Sequence, residues 1–495
     1  MTWRSCYSQS NGTENFTRKI PVEILLKTFR LVASPRTREG VYALLELTHV
    51  CRYWRAVLVN QPHLWSTIFA TQEDRRGFVE MCLQRSQAVA LDVTVDASKF
   101  GWTHPGCTCD KDERGRLLPN GKIPCEWHFP FESFAALKHS KRIRTLDIDF
   151  HGTDNPIPLA KRTGLALGGC RFFSLSFPQL TTLGWNCVET NHANHIFSNS
   201  LFAPTLRSLS FKGEWKGSFT QLGNLTSFTF LDNKTSISED AFRLFMLNNQ
   251  SLESLSLDIL DFYPSDLEAP PVQLLNIKSF SIYSYPGIMA GIICIPALQH
   301  LSSLCISLNV APGPREIILD AIGDGISLSV KTSICDTADA WEDITGYARP
   351  IIRHARLRGY PKDLDDAQHF YGGREVFPLL ADVHTLEVGR GYLPFFYPAF
   401  LYGLKRLGPQ LKTIRFEVWE EMEPFEESGD EYERWGGRRL DEIVDLVKCR
   451  FEQGRPFSAV ERMVVSENER SNRLQDHVWR CFYRGRNLGQ YIQPA

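Results

Sequence analysis

The feature that most restricts how this 495-residue chain can fold is a recurring six-residue pattern, apolar-x-x-apolar-x-apolar. It stands at Ile143/Leu146/Ile148, Leu180/Leu183/Trp185, Leu206/Leu209/Phe211 and Leu225/Phe228/Phe230. It recurs at Leu252/Leu255/Leu257, Ile277/Phe280/Ile282 and Leu301/Leu304/Ile306. Later copies are Val383/Leu386/Val388, Leu411/Ile414/Phe416 and Val460/Met463/Val465, with a weaker one at Ile352/Ala355/Leu357. The last two apolar positions of each copy are two residues apart, which places them on one face of a strand. Ala88–Asp96, where Leu91, Val93 and Val95 alternate, has the same character. The central copies follow one another at intervals of roughly 19–29 residues. So short a unit buries its apolar face only against the next one, so stacked strand-and-return units are expected.

That interval is the period of leucine-rich repeats. The asparagine of the tight repeat is mostly missing, so the array is expected to be irregular, a leucine-rich-repeat-like curved solenoid. Ala241–Leu247 and Leu364–Tyr371 are candidate helical or 3₁₀ returns. A generic α/β core is the alternative that short apolar triplets leave open.

Ahead of the array, residues 20–65 read as three short helical pieces with little core of their own. Pro21 suits the start of a helix, and Glu23 favours its positive end. Ile24, Leu25, Thr28, Phe29 and Val32 then fall on one helical face. After a polar break at Ser34–Gly40, Leu44, Leu47, Cys51, Trp54 and Leu58 form a single stripe. Pro62 opens a third piece ending in Leu64–Trp65. A unit of this size with so many large apolar groups leaves some exposed, and a partner is expected.

These residues carry a family resemblance. IPVEILLKTF, LLELTHVCRYWRAV and PHLW, with Leu83–Ser86 beyond them, resemble the F-box motif of the large fungal F-box families. Two departures stand out: Ile20 occupies a position where the family usually has Leu, and the Ser34–Gly40 joint is longer than in the compact form. The resemblance implies binding to a SKP-family adaptor and, through it, to a cullin–RING ubiquitin ligase. It places the docking set at Ile20, Pro21, Ile24, Leu25, Phe29, Leu47, Val50, Cys51, Trp54, Leu64 and Trp65. Pro21, Ile24, Leu25 and Phe29 are expected to form the adaptor-facing edge of the first helix. Val50, Cys51, Trp54 and Trp65 complete or buttress that contact.

The organisation expected is therefore α/β, with a tail over residues 1–17, an F-box-like module over 18–70 and the repeat region over 71–495. Phe78–Ser86 reads as a short helix between module and array, with Phe78, Met81 and Cys82 on one side. Insertions interrupt the array at about 98–130 and 417–437, and again around Lys161–Leu175. The formal net charge of −2 gives no general case for nucleic acid or a membrane surface. No run of apolar residues is long enough to span a bilayer, and Met1–Lys19 is too polar for a secretory signal. Thirteen cysteines, an odd number scattered along the chain, suit reduced thiols in the cytoplasm or nucleus.

The first insertion holds His104, Cys107, Cys109, Cys125 and His128. Of these, Cys107, Cys109, Cys125 and His128 are weak candidates for a zinc site, since thiolates and imidazoles this close can close a tetrahedron. Cys-x-Cys followed by Cys-x-x-His is not the usual pair of knuckles, and a plain surface loop accounts for the segment as well. The acidic insertion packs nine carboxylates into the seventeen positions from Glu417 to Glu433. Such a run is ordinarily a solvated loop, and with Trp419, Phe425 and Tyr432 it also offers a surface to a basic partner. Leu440–Phe451 reads as a terminal packing helix, and Trp479, Phe482 and Tyr483 read as cap residues.

Catalytic patterns are missing: no nucleophile elbow, phosphate-binding loop, zincin helix or kinase set is present. Asp147 and Asp149 share a strand face, His192 and His195 lie in a polar stretch, and no cysteine has an activating sequence context. No catalytic residue, metal or cofactor is assigned. The sequence reads as a substrate-receptor subunit whose array holds an unidentified target protein. A ligase-independent scaffold and a zinc-containing protein of other function are its alternatives.

Overall fold

The computed structural model describes residues 20–33, 38–71, 76–96, 135–149, 176–186, 203–212, 220, 222–263, 269–283, 292–309, 316–333, 337–345, 350–360, 377–388, 410–419, 446–465, 477–478, 482–483 and 486–487. The chain divides into two compact units, Met1–Glu214 and Trp215–Ala495. The insertions around 98–130 and 161–175, the return at Leu364–Tyr371 and both histidines at 192 and 195 lie outside the described residues.

The first unit opens with three helices, α1 (Val22–Ala33), α2 (Arg38–Leu47) and α3 (Arg52–Val59), followed by a 3₁₀ turn at Pro62–Trp65. The stripe from Leu44 to Leu58 does not lie on one helix. Thr48 turns its hydroxyl back onto the Leu45 carbonyl at 2.6 Å and ends α2. Cys51 is extended (φ −157°, ψ 166°), and its Sγ accepts from the Trp54 amide at 3.4 Å, capping a new helix. A thiol in the N-cap place of serine or aspartate hides this start from a periodicity search. Arg38–Gly40, expected in the polar joint, are helical. Pro21 precedes α1, and its carbonyl accepts from the amides of Ile24 and Leu25.

Next come β1 (Thr67–Thr71), α4 (Arg76–Arg85), β2 (Leu91–Asp96), a 3₁₀ stretch at Ala135–Arg142, and β3 (Ile143–Asp149), β4 (Thr182–Asn186) and β5 (Ser208–Lys212). Residue 70, the expected end of the helical module, falls inside β1, so module and array meet within a strand. The five strands pair in parallel in chain order. Ile68, Val93, Leu146, Leu183 and Leu209 form one buried register row, and Ala70, Val95, Ile148, Trp185 and Phe211 the next. Each row is a layer of core that exists only because neighbouring strands supply it.

The second unit runs β6 (Ser227–Ser238), α5 (Glu239–Asn248), β7 (Ser254–Tyr263), β8 (Val272–Gln273), β9 (Ser279–Tyr283), β10 (Ile293–Cys294) and β11 (Leu301–Asn309). It continues through β12 (Glu316–Gly323), β13 (Ile326–Ser333), α6 (Thr337–Thr345), β14 (His354–Tyr360), β15 (Thr385–Val388), β16 (Thr413–Trp419), a helical stretch over 446–452, β17 (Ala459–Val465) and β18 (His477–Val478). Glu417–Trp419, expected at the head of the acidic insertion, are the end of β16. The α5 return matches its expected place: Ser238 caps it, Glu239 and Asp240 occupy the first turn, and Phe242, Phe245 and Met246 are buried.

The apolar triplets are the core. All three residues are buried in eight of the eleven copies, and the first two are buried at Val383 and Leu411. The copies do not all stack directly, however. The sheet order within this unit is β6-β7-β9-β13-β12-β11-β14-β15-β16-β17-β18. A β12–β13 hairpin is inserted between the Ile277 and Leu301 copies, and β12 runs antiparallel to both β13 and β11. Its turn, Gly323–Ile326, uses Gly325 at φ +70°, a conformation glycine adopts freely. Gly323 is fixed differently, since a Cβ there would collide with the His300 carbonyl.

Asn249 supplies the asparagine chemistry otherwise missing. Fully buried, it donates to the carbonyls of Leu222 and Phe245 at 2.9 and 2.8 Å and accepts from the Leu225 amide at 3.0 Å. One side chain thereby satisfies three backbone groups where α5 returns to the sheet.

Candidate protein-interaction surface

Within α1 the apolar residues divide between two faces. Leu25 and Phe29 are buried, and Phe29 meets the edge of Trp54 with ring centroids 5.2 Å apart. Ile24 is 50% exposed and Leu31 73%. A helix advances about 100° per residue, so Ile24, Thr28 and Leu31 line one stripe while Leu25 and Phe29 point roughly a third of a turn away. Thr28 donates its hydroxyl to the Ile24 carbonyl at 3.0 Å, which leaves its methyl as the group added to that stripe. Val50, between α2 and α3, is 52% exposed.

The expected docking set therefore separates. Pro21, Ile24 and Val50 lie at the surface, Ile20, Leu47, Cys51 and Trp54 are half-buried, and Leu25, Phe29, Leu64 and Trp65 are interior. Leu25 and Phe29 do not share an outward edge with Ile24, because five positions spread over i to i+8 cover more than one face. Leu31 was missed, although its place seven residues after Ile24 signals the same stripe.

The interior of the module is tied to the segments that lead into β2 and β3. Trp65 is fully buried, donates its indole N–H to the Leu58 carbonyl at 2.9 Å, and carries the Arg85 guanidinium 4.4 Å from its ring centroid. Burial lowers the Arg85 pKa, with the Arg55 charge acting in the same direction. Tyr42 of α2 stacks on Phe78 of α4 at 4.8 Å. Arg142, entering β3, bonds the Val89 carbonyl through Nε and a terminal nitrogen, and Ser86 Oγ at 2.9 Å.

The second surface is the sheet face opposite the triplets. In the second unit its register rows are mostly small hydroxyls: Ser254, Ser279 and Ser327 in one, Ser256, Ser281 and Ser329 in the next. Beyond the inserted hairpin the same row continues as Cys305, Arg356, Glu387 and Arg415. Glu387 is buried between its neighbours, with Arg415 at 3.2 Å, His354 at 3.5 Å and Arg356 at 3.7 Å. Burial alone would raise its pKa, but bonding from His354 and Arg415 and the charges of His354 and Arg356 hold it below the ordinary carboxylate value.

In the first unit, burial and the neighbouring Asp149 raise the pKa of Asp147, and Asp149 accepts from Asn186 at 2.8 Å. By register Asp147 lies between Thr94 and Gly184, and Asp149 between Asp96 and Asn186. Among the described residues, no group of three or more His, Cys, Asp and Glu side chains is placed to hold a metal. Cys107, Cys109, Cys125 and His128 lie outside the described residues. No described helix is long and apolar enough to cross a membrane.

Comparison with known proteins speaks to the helical part. Residues 17–71 match the F-box-like family. The match spans α1 to α3, the Pro62–Trp65 turn and β1, so the F-box-like module is the part that bears the Ile24–Leu31 stripe. Among solved structures, the chain is similar to the leucine-rich repeat-containing protein LegL7 from Legionella pneumophila, at 12% identity. That similarity covers 71% of this chain and 90% of the other, with a TM-score of 0.24, too low to establish a shared fold. No curated protein matches the chain.

Proposed function

We propose that this chain is a substrate-recognition subunit of an SCF-type cullin–RING ubiquitin ligase. The F-box-like module binds a SKP-family adaptor, and the sheet array, read as an irregular leucine-rich-repeat-like solenoid, receives a target protein. The observation that carries the proposal is the exposed stripe Ile24–Thr28–Leu31 on the first helix of a module that matches the F-box-like family. Exposed aliphatic groups on a helix whose other face already forms a core are suited to a helix–helix contact with a second protein. The chain then performs no chemistry of its own, and its place is the cytoplasm or nucleus, where such ligases act.

The test is co-expression with a SKP-family adaptor followed by size-exclusion chromatography, with a cullin added in a second run. Wild type is expected to co-elute with the adaptor at one-to-one and to recruit the cullin. An Ile24→Asp/Leu31→Asp variant with unchanged circular dichroism is expected to elute alone. Wild type that fails to bind the adaptor overturns the proposal. An adaptor complex that never takes up cullin replaces it with a ligase-independent scaffold.

A further inference from the structure

The inserted hairpin changes what the outward sheet face presents. Because β12 runs against its neighbours, its inward residues are Leu319 and Ala321, both fully buried, and Ile318, Asp320 and Ile322 face the other way. Ile318 lies between Lys331 and Ser307, and the register partners of the other two are small. Ile322 lies between Ser327 and Ser303, and Asp320 between Ser329 and Cys305. Ile322 is 63% exposed and, among the described residues, is the exposed large apolar side chain that belongs to a strand. The others lie on helices, in turns or, for Ile351, in the segment that leads into β14.

Asp320 sits between the two isoleucines and accepts from Ser329 Oγ at 2.6 Å. The charged groups nearest to it by register are Lys331, diagonal on β13, and Arg356, beyond Cys305 on β14. A carboxylate bordered by aliphatic groups and low hydroxyl walls binds a cation more strongly than one in open water, because the aliphatic flanks exclude solvent from the pair. Ile318, Asp320 and Ile322 are spaced two residues apart along an extended strand, which is the spacing of alternate side chains in an extended partner.

We propose that β12 is a recognition strand for an extended segment of a partner protein, in which a basic side chain lies between two aliphatic ones at alternate positions. The choice of occupant rests on charge complementarity at Asp320 and apolar complementarity at Ile318 and Ile322. The small neighbours of Ile322 let the partner's backbone approach there, and contacts around an exposed apolar group that exclude water suit it to anchor an interface. The proposal deepens the target-binding half of the function proposed above and is independent of the adaptor contact.

Fluorescence anisotropy on the full chain tests it, using labelled peptides with the cores Val-Ser-Arg-Ser-Val, Val-Ser-Glu-Ser-Val and Ser-Ser-Arg-Ser-Ser. The first is expected to bind most tightly and to weaken as salt rises. Ile322→Ser and Asp320→Asn are each expected to weaken it about tenfold. Asp320→Asn should also remove the preference for arginine over glutamate. Both side chains face outward, and Ile322→Thr retains the branched β-carbon should Ile322→Ser fail to fold. Equal binding of the three peptides, preference for the glutamate core, unchanged affinity in the variants, or no wild-type binding up to about 1 mM overturns the proposal. The Ile24→Asp/Leu31→Asp variant is expected to keep peptide binding, so failure of the adaptor reading and failure of this one give different results.

Discussion

Trp65 donates its indole N–H to the carbonyl of Leu58 at 2.9 Å from a fully buried position. The second indole of the module is arranged otherwise: Trp54 Nε1 is buried without an acceptor among the described residues. Removing the nitrogen therefore has different consequences at the two sites. Trp65→Phe breaks a buried hydrogen bond and loses ring area under Arg85, and is expected to cost about 1–3 kcal/mol. Trp54→Phe removes a donor that lacks its bond, and is expected to cost less than half as much. Urea denaturation of the two variants measures the difference, and equal costs would mean that the Trp65–Leu58 bond contributes nothing.

Glu387 links stability of the second unit to pH. Its folded pKa lies below the ordinary carboxylate value, so the ionised form is the one the fold favours. The stabilisation is present above the unfolded-state pKa and is lost as pH falls through the folded one. Glu387→Gln is expected to destabilise at neutral pH by about 1–3 kcal/mol, since Arg415 and Arg356 keep their charges without their carboxylate. The variant should also lose melting temperature less steeply than wild type through the acid range. Parallel acid profiles of wild type and variant would remove Glu387 as the linked group.

Much of this architecture was legible in the chain, for a physical reason. A triplet such as Leu225/Phe228/Phe230 has one way to bury three large groups, and a return such as Ala241–Leu247 announces itself through its cap and its periodicity. The hairpin at 316–333 was not legible in that way. The residues of β13 alternate like those of any strand, those of β12 open on the apolar run Ile317–Leu319, and direction within a sheet leaves no mark on either pattern. The Gly323-Asp324-Gly325 turn was the available signal. The docking stripe was half legible: apolar spacing located α1 but did not say which of its apolar residues the neighbouring helices take. That division is settled by tertiary contacts such as Phe29 against Trp54.

The two glycines of the hairpin separate steric from conformational constraint. Gly325 has open space where a Cβ would go, but holds φ at +70°. Gly325→Ala is expected to cost about 1 kcal/mol, the strain of a left-handed alanine. A Cβ on Gly323 would run into the backbone of His300 and Leu301, which has no flexible end to move aside. Gly323→Ala should therefore destabilise by more and displace β12 from β11. Thermal melts, with hydrogen exchange at the Cys305 and Ser307 amides on the β12 side of β11, report both effects. An equal cost at the two positions would show that β11 yields without penalty.

Phe29 and Leu31, two residues apart on α1, provide the sharpest contrast between core and surface. Phe29 is fully buried against Trp54, so Phe29→Ala leaves a cavity and is expected to cost about 3–5 kcal/mol. Leu31 is 73% exposed, and Leu31→Ala is expected to change stability by no more than about 0.5 kcal/mol. In the adaptor complex the order should reverse in kind. Leu31→Ala in a fully folded chain is expected to weaken adaptor binding by about tenfold or more, the loss from removing an aliphatic anchor at an interface. Isothermal titration of the purified variant with the adaptor reads that loss directly. If Leu31→Ala binds as wild type does while Ile24→Ala does not, the docking edge excludes the C-terminal turn of α1. If neither changes, the stripe is ordinary surface, and Ile24 and Leu31 have no part in the contact.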